Sequence, residues 1–144
     1  MSGLNRKPWI QNVSMKAIME GHHFFEPHRT VLIQIQDPHS EFFAPPKHKF
    51  KQVTQILFDD AEDGDPGLLI EEDDAQLIAS VLRQALFNGD NVVVHCHAGL
   101  CRSGAVAECG VMLGFDDTNM ERIPNLPVKR MLRKALNLTQ SWED

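Results

Sequence analysis

Cys96 and Arg102 are the two residues whose types and spacing could do chemistry together. The spacer between them consists of His97, Ala98, Gly99, Leu100 and Cys101. A cysteine thiolate is a strong nucleophile, and a guanidinium is a planar fork that can hold two phosphoryl oxygens. A thiolate below a bound phosphate, with an arginine beside it, forms a site for nucleophilic phosphoryl transfer. The pair therefore predicts phosphate chemistry, with Cys96 as nucleophile and Arg102 as phosphate ligand.

The residues on either side of this spacer predict the elements that position it. Residues 92–94 are a run of valines typical of a buried parallel strand, and residues 103–113 are mostly apolar, as in a packed helix. A loop at the start of a helix directs backbone N–H groups towards one point, where the helix dipole adds positive potential. Gly99 can take a positive φ there. We therefore expect a phosphate-binding loop at residues 97–102 and a field that favours the Cys96 thiolate.

The run His95-Cys96-x5-Arg102-Ser103 resembles the signature of the cysteine-dependent protein tyrosine phosphatases. Its tail is most similar to the dual-specificity branch, and the whole arrangement, over roughly residues 30–136, resembles the short phosphatases of bacteria and phages. The resemblance implies hydrolysis of phosphomonoesters through a cysteinyl-phosphate, without a metal or other cofactor. It also implies that Ser103 hydrogen-bonds the Cys96 sulfur and eases its departure, and that His95 supports the loop through ring hydrogen bonds.

Two aspartates follow a predicted strand, and one of them is expected to act as general acid. Residues 51–58 have the composition of a strand that ends in Asp59-Asp60. The run from Phe58 to Asp60 resembles the strand-end motif that carries the general acid in dual-specificity and lipid phosphatases. If the strand persists to residue 60, alternation places Asp60 on the face of Ile56 and Phe58. Asp60 is therefore the predicted acid, and Asp59 is the alternative.

The other patterns predict an α/β fold in one domain over residues 1–144, with a central, mainly parallel sheet flanked by helices. Expected strands are residues 9–15 at a sheet edge, 29–36 in mid-sheet, and 51–58; expected helices are 74–87, 103–113 and 128–138. The strand, helix and strand over residues 51–94 imply a crossover and a parallel pair. Leu77 is expected on the apolar face of its helix.

Residues 37–50 are expected to be irregular, with aromatics covering the sheet edge, and residues 114–119 to form a loop. The run from Arg122 to Asn125 resembles an Arg-x-Pro-Asn element that often follows the active-site helix.

Composition narrows the classes of function. The net charge of -6 argues against a nucleic-acid partner. Nine acidic residues and no basic one lie between residues 59 and 74, where the first half of the run follows a strand and suits a catalytic loop. No apolar run approaches membrane-spanning length and residues 1–21 are too polar for a signal peptide, which predicts a cytoplasmic protein without a membrane partner.

The cysteines and histidines of the signature raise two further possibilities. Three cysteines make no disulfide framework. The residues of types that bind zinc are His95, Cys96, His97, Cys101 and Cys109. A zinc site is nevertheless disfavoured, because neighbouring residues at a strand end point to opposite faces and no second ligand pair appears elsewhere. Cys101 is instead a redox candidate, because a nearby thiol can trap an oxidised Cys96 as a disulfide, although it could equally pack beneath the loop.

The expected substrate is a phosphorylated protein or peptide. The chain contains no tyrosine, so a phosphotyrosine pocket built on a stacking tyrosine is not expected. One alternative is a pseudophosphatase that binds phosphopeptides without turning them over. Another keeps the chemistry and changes the substrate to a nucleotide, an RNA 5′-phosphate or a phosphoinositide.

Overall fold

The computed structural model describes residues 7–22, 26–61, 67 and 69–138. Its elements, in chain order, are β1 (Trp9–Ser14), α1 (Met15–Glu20), a 3-10 turn (Pro27–Arg29), β2 (Thr30–Gln36), β3 (Gln52–Leu57), α2 (Glu72–Asn88), β4 (Asn91–Cys96), α3 (Arg102–Leu113), β5 (Asp116–Asp117) and α4 (Leu126–Ala135). The strands form one sheet in the order β3-β2-β4-β1-β5, and every neighbouring pair is parallel. The predicted α/β class with a central, mainly parallel sheet is confirmed.

Hydrophobic side chains cover the sheet on both faces, as alternation along its strands requires. In β4, Val92, Val94 and Cys96 face a large core shared with α2, α3 and α4, whereas Val93 faces the opposite side. The smaller core contains residues of α1 and of the segment before β3; its members are Val13, Ala17, Ile18, Leu32, Phe50 and Val93. Because β4 is buried along its whole length, its end is held rigidly in the middle of the sheet.

The order of the strands corrects three predictions. β1 is not an edge strand, because the two-residue β5 pairs with it. β5 itself lies within residues 114–119, which were expected to form a loop. β2 lies in mid-sheet as predicted and β3 forms one edge. β3 and β4 are parallel but do not pair with each other, since β2 lies between them.

Several local predictions are also wrong. The short helix α1, capped by the Ser14 hydroxyl, was not expected. In the irregular segment 37–50, Phe42 is 76% exposed and Phe50 is buried against the sheet face, so these aromatics do not cover the sheet edge. Leu77 is 45% exposed. β3 ends at Leu57, before the aspartates.

Part of the predicted acidic stretch, residues 62–66, lies outside the described residues, as do both chain termini. The second half of that stretch begins α2, where the backbone N–H groups and the helix dipole favour carboxylates. Glu71 and Asp74 form a reciprocal capping box at this end. No helix in the described part of the chain is both long and apolar enough to cross a membrane.

Candidate active site

The β4–α3 loop, residues 97–101, lies where the sequence predicts a phosphate-binding loop. β4 ends at Cys96 and α3 begins at Arg102, so the loop connects the carboxyl end of a central strand to the start of a helix. In parallel sheets, ligands bind at this end of the strands. Cys96 is 2% exposed, whereas His97 and Ala98 are exposed.

The backbone carbonyl groups of this loop are hydrogen-bonded to the surrounding protein. Hydrogen bonds to the carbonyl oxygens of residues 97, 99, 100 and 101 are donated by Met15 N, Asn12 Nδ2, Ile123 N and Asn125 N, at 2.7 to 3.1 Å. In a trans peptide the N–H of the next residue points opposite to the carbonyl. The N–H groups of residues 98, 100, 101 and 102 are therefore directed to the inner side of the loop, as anion binding requires.

Gly99 is required by both conformation and space. Its φ is +79°, in the left-handed region, and a Cβ there would lie 2.5 Å from the backbone of Val13 and Ser14. A side chain at this position would push the loop away from the end of β1. The glycine inferred from sequence as a positive-φ position is therefore also a point of close approach.

Arg102 is anchored on one side and has an unsatisfied donor on the other. Its Nη1 donates to Asp37 Oδ1 at 2.9 Å and to the Phe58 carbonyl at 2.7 Å. The side chain is 4% exposed, and among the described residues its buried Nε has no hydrogen-bond partner. A buried donor without a partner costs about 1–3 kcal/mol, and more on a charged group, which an anionic ligand would recover.

Ser103 contacts the Cys96 sulfur, in agreement with the implication of the resemblance. Its hydroxyl lies 3.1 Å from Sγ, and its backbone N–H donates to Sγ at 3.5 Å. Ser103 therefore places two hydrogen-bonding groups against the sulfur of the predicted nucleophile.

His95 is buried and held as the neutral ring beneath the loop. Gln34 Nε2 donates to His95 Nε2 at 3.2 Å, so the proton lies on Nδ1, which donates to the Cys96 carbonyl at 3.2 Å. The same amide nitrogen of Gln34 donates to the Ala44 carbonyl. Burial lowers the pKa of His95 to about 4, with a smaller contribution from the Arg102 charge and an opposing one from the Cys96 hydrogen bond.

We expect the free energy of unfolding to fall between pH 6.5 and pH 4 because of His95. The imidazole is neutral in both states above pH 6.5, but between the two pKa values only the unfolded chain binds the proton. The loss approaches about 3 kcal/mol below pH 4. Urea unfolding across this range measures it, and His95→Asn is the control that should lose this part of the pH dependence. The same pH dependence in both proteins would contradict the prediction.

Asp59 and Asp60 both reach the Cys96 pocket, although the sequence predicted them on opposite faces. This pocket is a cavity of about 550 Å³, lined by Asp37, Asp59, Asp60, Ala61, Cys96, His97, Ala98, Cys101 and Arg102. Because β3 ends at Leu57, strand alternation does not extend to these aspartates. Asp60 is held from below, since Asn125 Nδ2 donates to its Oδ1 at 2.8 Å.

The structure has the fold of a tyrosine phosphatase-like protein. It aligns with the human tyrosine phosphatase-like serine/threonine/tyrosine-interacting protein at a TM-score of 0.59. The alignment covers 90% of this chain and 93% of that one, with 17% sequence identity. No family model matches the sequence, and no curated protein matches it significantly.

Four polar residues of the site were missed or left without a role by the sequence analysis. Asp37 holds Arg102, Gln34 holds His95, Asn12 holds the Gly99 carbonyl, and Asn125 holds Asp60. Three carry a usable signal: Asn12 and Gln34 are polar residues within apolar strands, and Asp37 directly follows a buried strand. A polar side chain buried in such a strand needs a partner, and these partners are in the site.

The other cysteines differ in their access to the pocket. Cys101 is partly exposed and lines it; burial first, and then the Asp60 carboxylate to which its thiol donates, raise the pKa of Cys101. Cys109 is buried in α3, where desolvation raises its pKa to about 12. Within the described residues, no three His, Cys, Asp or Glu side chains are grouped so that they could hold a metal ion.

We expect Cys101 to protect the site against peroxide. Peroxide oxidises the Cys96 thiolate to a sulfenic acid, and the Cys101 thiol then displaces water to form a disulfide. The wild-type protein should recover with dithiothreitol, whereas Cys101→Ser should be lost irreversibly as the sulfinic acid. Activity measured after peroxide and then reductant tests this, with Cys109→Ala as a control that behaves like wild type. Equal recovery of wild type and Cys101→Ser would refute it.

Proposed function

We propose that the protein is a phosphomonoesterase that acts through a cysteinyl-phosphate on Cys96. The observation that carries this proposal is the buried Nε of Arg102, which has no partner among the described residues, on a side chain that lines the same pocket as Cys96. An arginine held rigid through Nη1, with a donor left over beside a cysteine, fits the oxygens of a phosphate ester better than it fits a structural role.

In the first step the Cys96 thiolate attacks phosphorus in line with the ester oxygen. The S–P bond forms as the P–O bond breaks, and charge spreads over the three equatorial oxygens. The inner N–H groups of residues 98, 100, 101 and 102 and the free side of the Arg102 guanidinium stabilise that charge. Asp37 contributes by holding Arg102 in place, so that no reorganisation is needed during the reaction.

Asp60 handles the proton in both steps. As an acid it protonates the leaving oxygen, and as the resulting carboxylate it takes a proton from the water that attacks the phosphocysteine. Asn125 orients it through a hydrogen bond to Oδ1. When the S–P bond breaks, the hydroxyl of Ser103 hydrogen-bonds the returning thiolate.

A second candidate function is binding of phosphorylated proteins without turnover. The observation in its favour is that the similar structure belongs to a phosphatase-like, serine/threonine/tyrosine-interacting protein. Against it stand the three groups that turnover needs, because Cys96, Arg102 and an aspartate are all present in one pocket. We therefore favour hydrolysis, with a phosphorylated protein or peptide as the substrate.

Hydrolysis of 4-nitrophenyl phosphate tests the proposal. This ester is activated and small, so it requires the loop, Cys96 and Arg102 but little substrate recognition. We expect turnover that orthovanadate inhibits, and Arg102→Ala should reduce kcat/KM by about a thousandfold or more because it removes the charge that stabilises the transition state. Binding of inorganic phosphate without any turnover would instead support the binding function.

A further inference from the structure

We propose that Asn12 is a positioning residue for the anion site, because it sets the direction of the Leu100 N–H group in the β4–α3 loop. This inference deepens the proposed function and rests on it. Its basis is that Asn12 Nδ2, on β1, donates to the Gly99 carbonyl of the loop at 2.7 Å. Asn12 does not itself line the Cys96 pocket, so it would act on the reaction through the loop.

The peptide group that joins Gly99 to Leu100 has Asn12 on one side and the anion site on the other. Its carbonyl accepts from Asn12, and in a trans peptide the N–H points the opposite way, which is inwards. Gly99 has a φ of +79°, and glycine allows more backbone conformations than any other residue. A hydrogen bond from outside the loop therefore keeps this peptide in a single orientation.

The Asn12 side chain can present only its amide nitrogen to the loop. Arg122 Nε donates to Asn12 Oδ1 at 3.1 Å, and a guanidinium has no acceptor, so the amide oxygen must face Arg122. The amide nitrogen then faces the Gly99 carbonyl, and it also donates to the Glu121 carbonyl at 3.0 Å. Asn12 is 1% exposed, so these hydrogen bonds are shielded from water.

Arg122 is held in place by a carboxylate. Its Nη2 and Nη1 donate to the two side-chain oxygens of Asp117 at 2.6 and 3.3 Å, and its side chain is 9% exposed. The hydrogen bond from Arg122 first, and then the one from the Asn119 N–H, lower the pKa of Asp117, so the pair stays ionised at neutral pH. The contacts that begin at Asp117 thus pass through Arg122 and Asn12 and end on the loop.

An inner N–H group contributes to catalysis only when it is aimed at the phosphoryl oxygens. A backbone donor already directed there needs no reorganisation during the reaction, and losing one such donor lowers kcat by about a hundredfold or more. We therefore expect loss of the Asn12 hydrogen bond to lower kcat more than it raises KM. A residue that only stabilised the fold would not alter the contact between the Leu100 N–H and a bound anion.

The experiment uses two variants of Asn12 with side chains of similar size. Asn12→Asp keeps the acceptor for Arg122 but places an oxygen against the Gly99 carbonyl, whereas Asn12→Leu removes the donor without adding charge. Asn91 is also a buried asparagine of the sheet, at the start of β4, where its Oδ1 accepts from Trp9 N. Asn91→Asp and Asn91→Leu are therefore the matched controls.

Two quantities are measured on each protein, namely kcat/KM for 4-nitrophenyl phosphate and the NMR shift of the Leu100 amide proton at saturating inorganic phosphate. In the wild type this proton should move downfield, since it gains a charge-assisted hydrogen bond. In both Asn12 variants we expect most of this movement to be lost and kcat/KM to fall about a hundredfold. The Arg102 N–H is the internal reference, because its peptide is held separately, through the Asn125 N–H and the Cys101 carbonyl.

Arg122→Met is a third variant, which keeps Asn12 but releases its amide group. It should change both quantities in the same direction and by less, and it decides the matter if the Asn12 variants do not fold. The Asn91 variants should match the wild type in both quantities.

Three results would overturn the inference. These are wild-type values in Asn12→Leu or Arg122→Met, losses of equal size in the Asn91 variants, and a loss confined to Asn12→Asp, which would indicate an effect of charge rather than of direction. If the wild type binds phosphate but hydrolyses no ester, the proposed function fails while the Leu100 shift still tests the inference, so the two failures are distinguishable.

Discussion

Cys96→Ser is expected to abolish turnover while leaving phosphate binding largely intact. The serine hydroxyl is a far weaker nucleophile than a thiolate at neutral pH, so no covalent intermediate forms. The groups that hold the anion, namely Arg102 and the inner N–H groups of the loop, do not depend on the sulfur. Calorimetric titration with inorganic phosphate and a turnover assay, run on the same preparation, measure the two effects.

The control for this variant is Cys109→Ala. Cys109 is buried in α3 and its thiol contacts the Lys129 carbonyl, outside the pocket, so turnover should be retained. Residual activity above a few per cent in Cys96→Ser would exclude Cys96 as the nucleophile. Loss of phosphate binding in the same variant would show that the anion site needs the thiolate and would contradict the proposed division of roles.

Asp60→Asn is expected to lower turnover strongly for alkyl phosphates, by about a hundredfold or more, and much less for activated aryl phosphates. An alkoxide leaving group needs a proton in the transition state, whereas a nitrophenolate scarcely does. The hydrogen bond from Asn125 fixes the orientation of the Asp60 carboxyl group in the pocket. Steady-state kinetics over a series of leaving groups gives the dependence on leaving-group pKa, which should steepen in Asp60→Asn.

Asp59→Asn provides the comparison, because the structure brings both carboxylates into the pocket. It should leave the leaving-group dependence unchanged, since Asp59 has no assigned part in proton transfer. An equal loss on alkyl and aryl esters in Asp60→Asn would show that Asp60 is not the general acid, and a steeper dependence in Asp59→Asn would assign that role to Asp59.

Local sequence preferences determine most of the structure of residues 92–113. The valine run, the small-residue loop and the apolar segment after Arg102 specify strand, loop and helix from local preferences, because all the residues involved are contiguous. The contact of Ser103 with Cys96 was implied by the family resemblance of the same short stretch. These features could therefore be predicted from sequence, together with the α/β class and the main strands and helices.

The end of β3 was decided by the sheet. Asp37-Pro38 follows β2, and a proline has no N–H with which to continue the ladder. The β2–β3 pairing therefore stops at Gln36 and Leu57, and the strand ends before either aspartate. Alternation along the isolated sequence could not show this, because the stop comes from the neighbouring strand.

Only the tertiary structure brought the supporting polar groups to the site. Asp37 and Arg102 are 65 positions apart in the chain, and so are Asp60 and Asn125. Parallel strands gather at one edge the residues that follow them, and which residues meet there depends on strand order. Local sequence preferences carry no information about that order. The nucleophile, its loop and its arginine could be placed without knowing the strand order, because six consecutive peptide bonds already join Cys96 to Arg102.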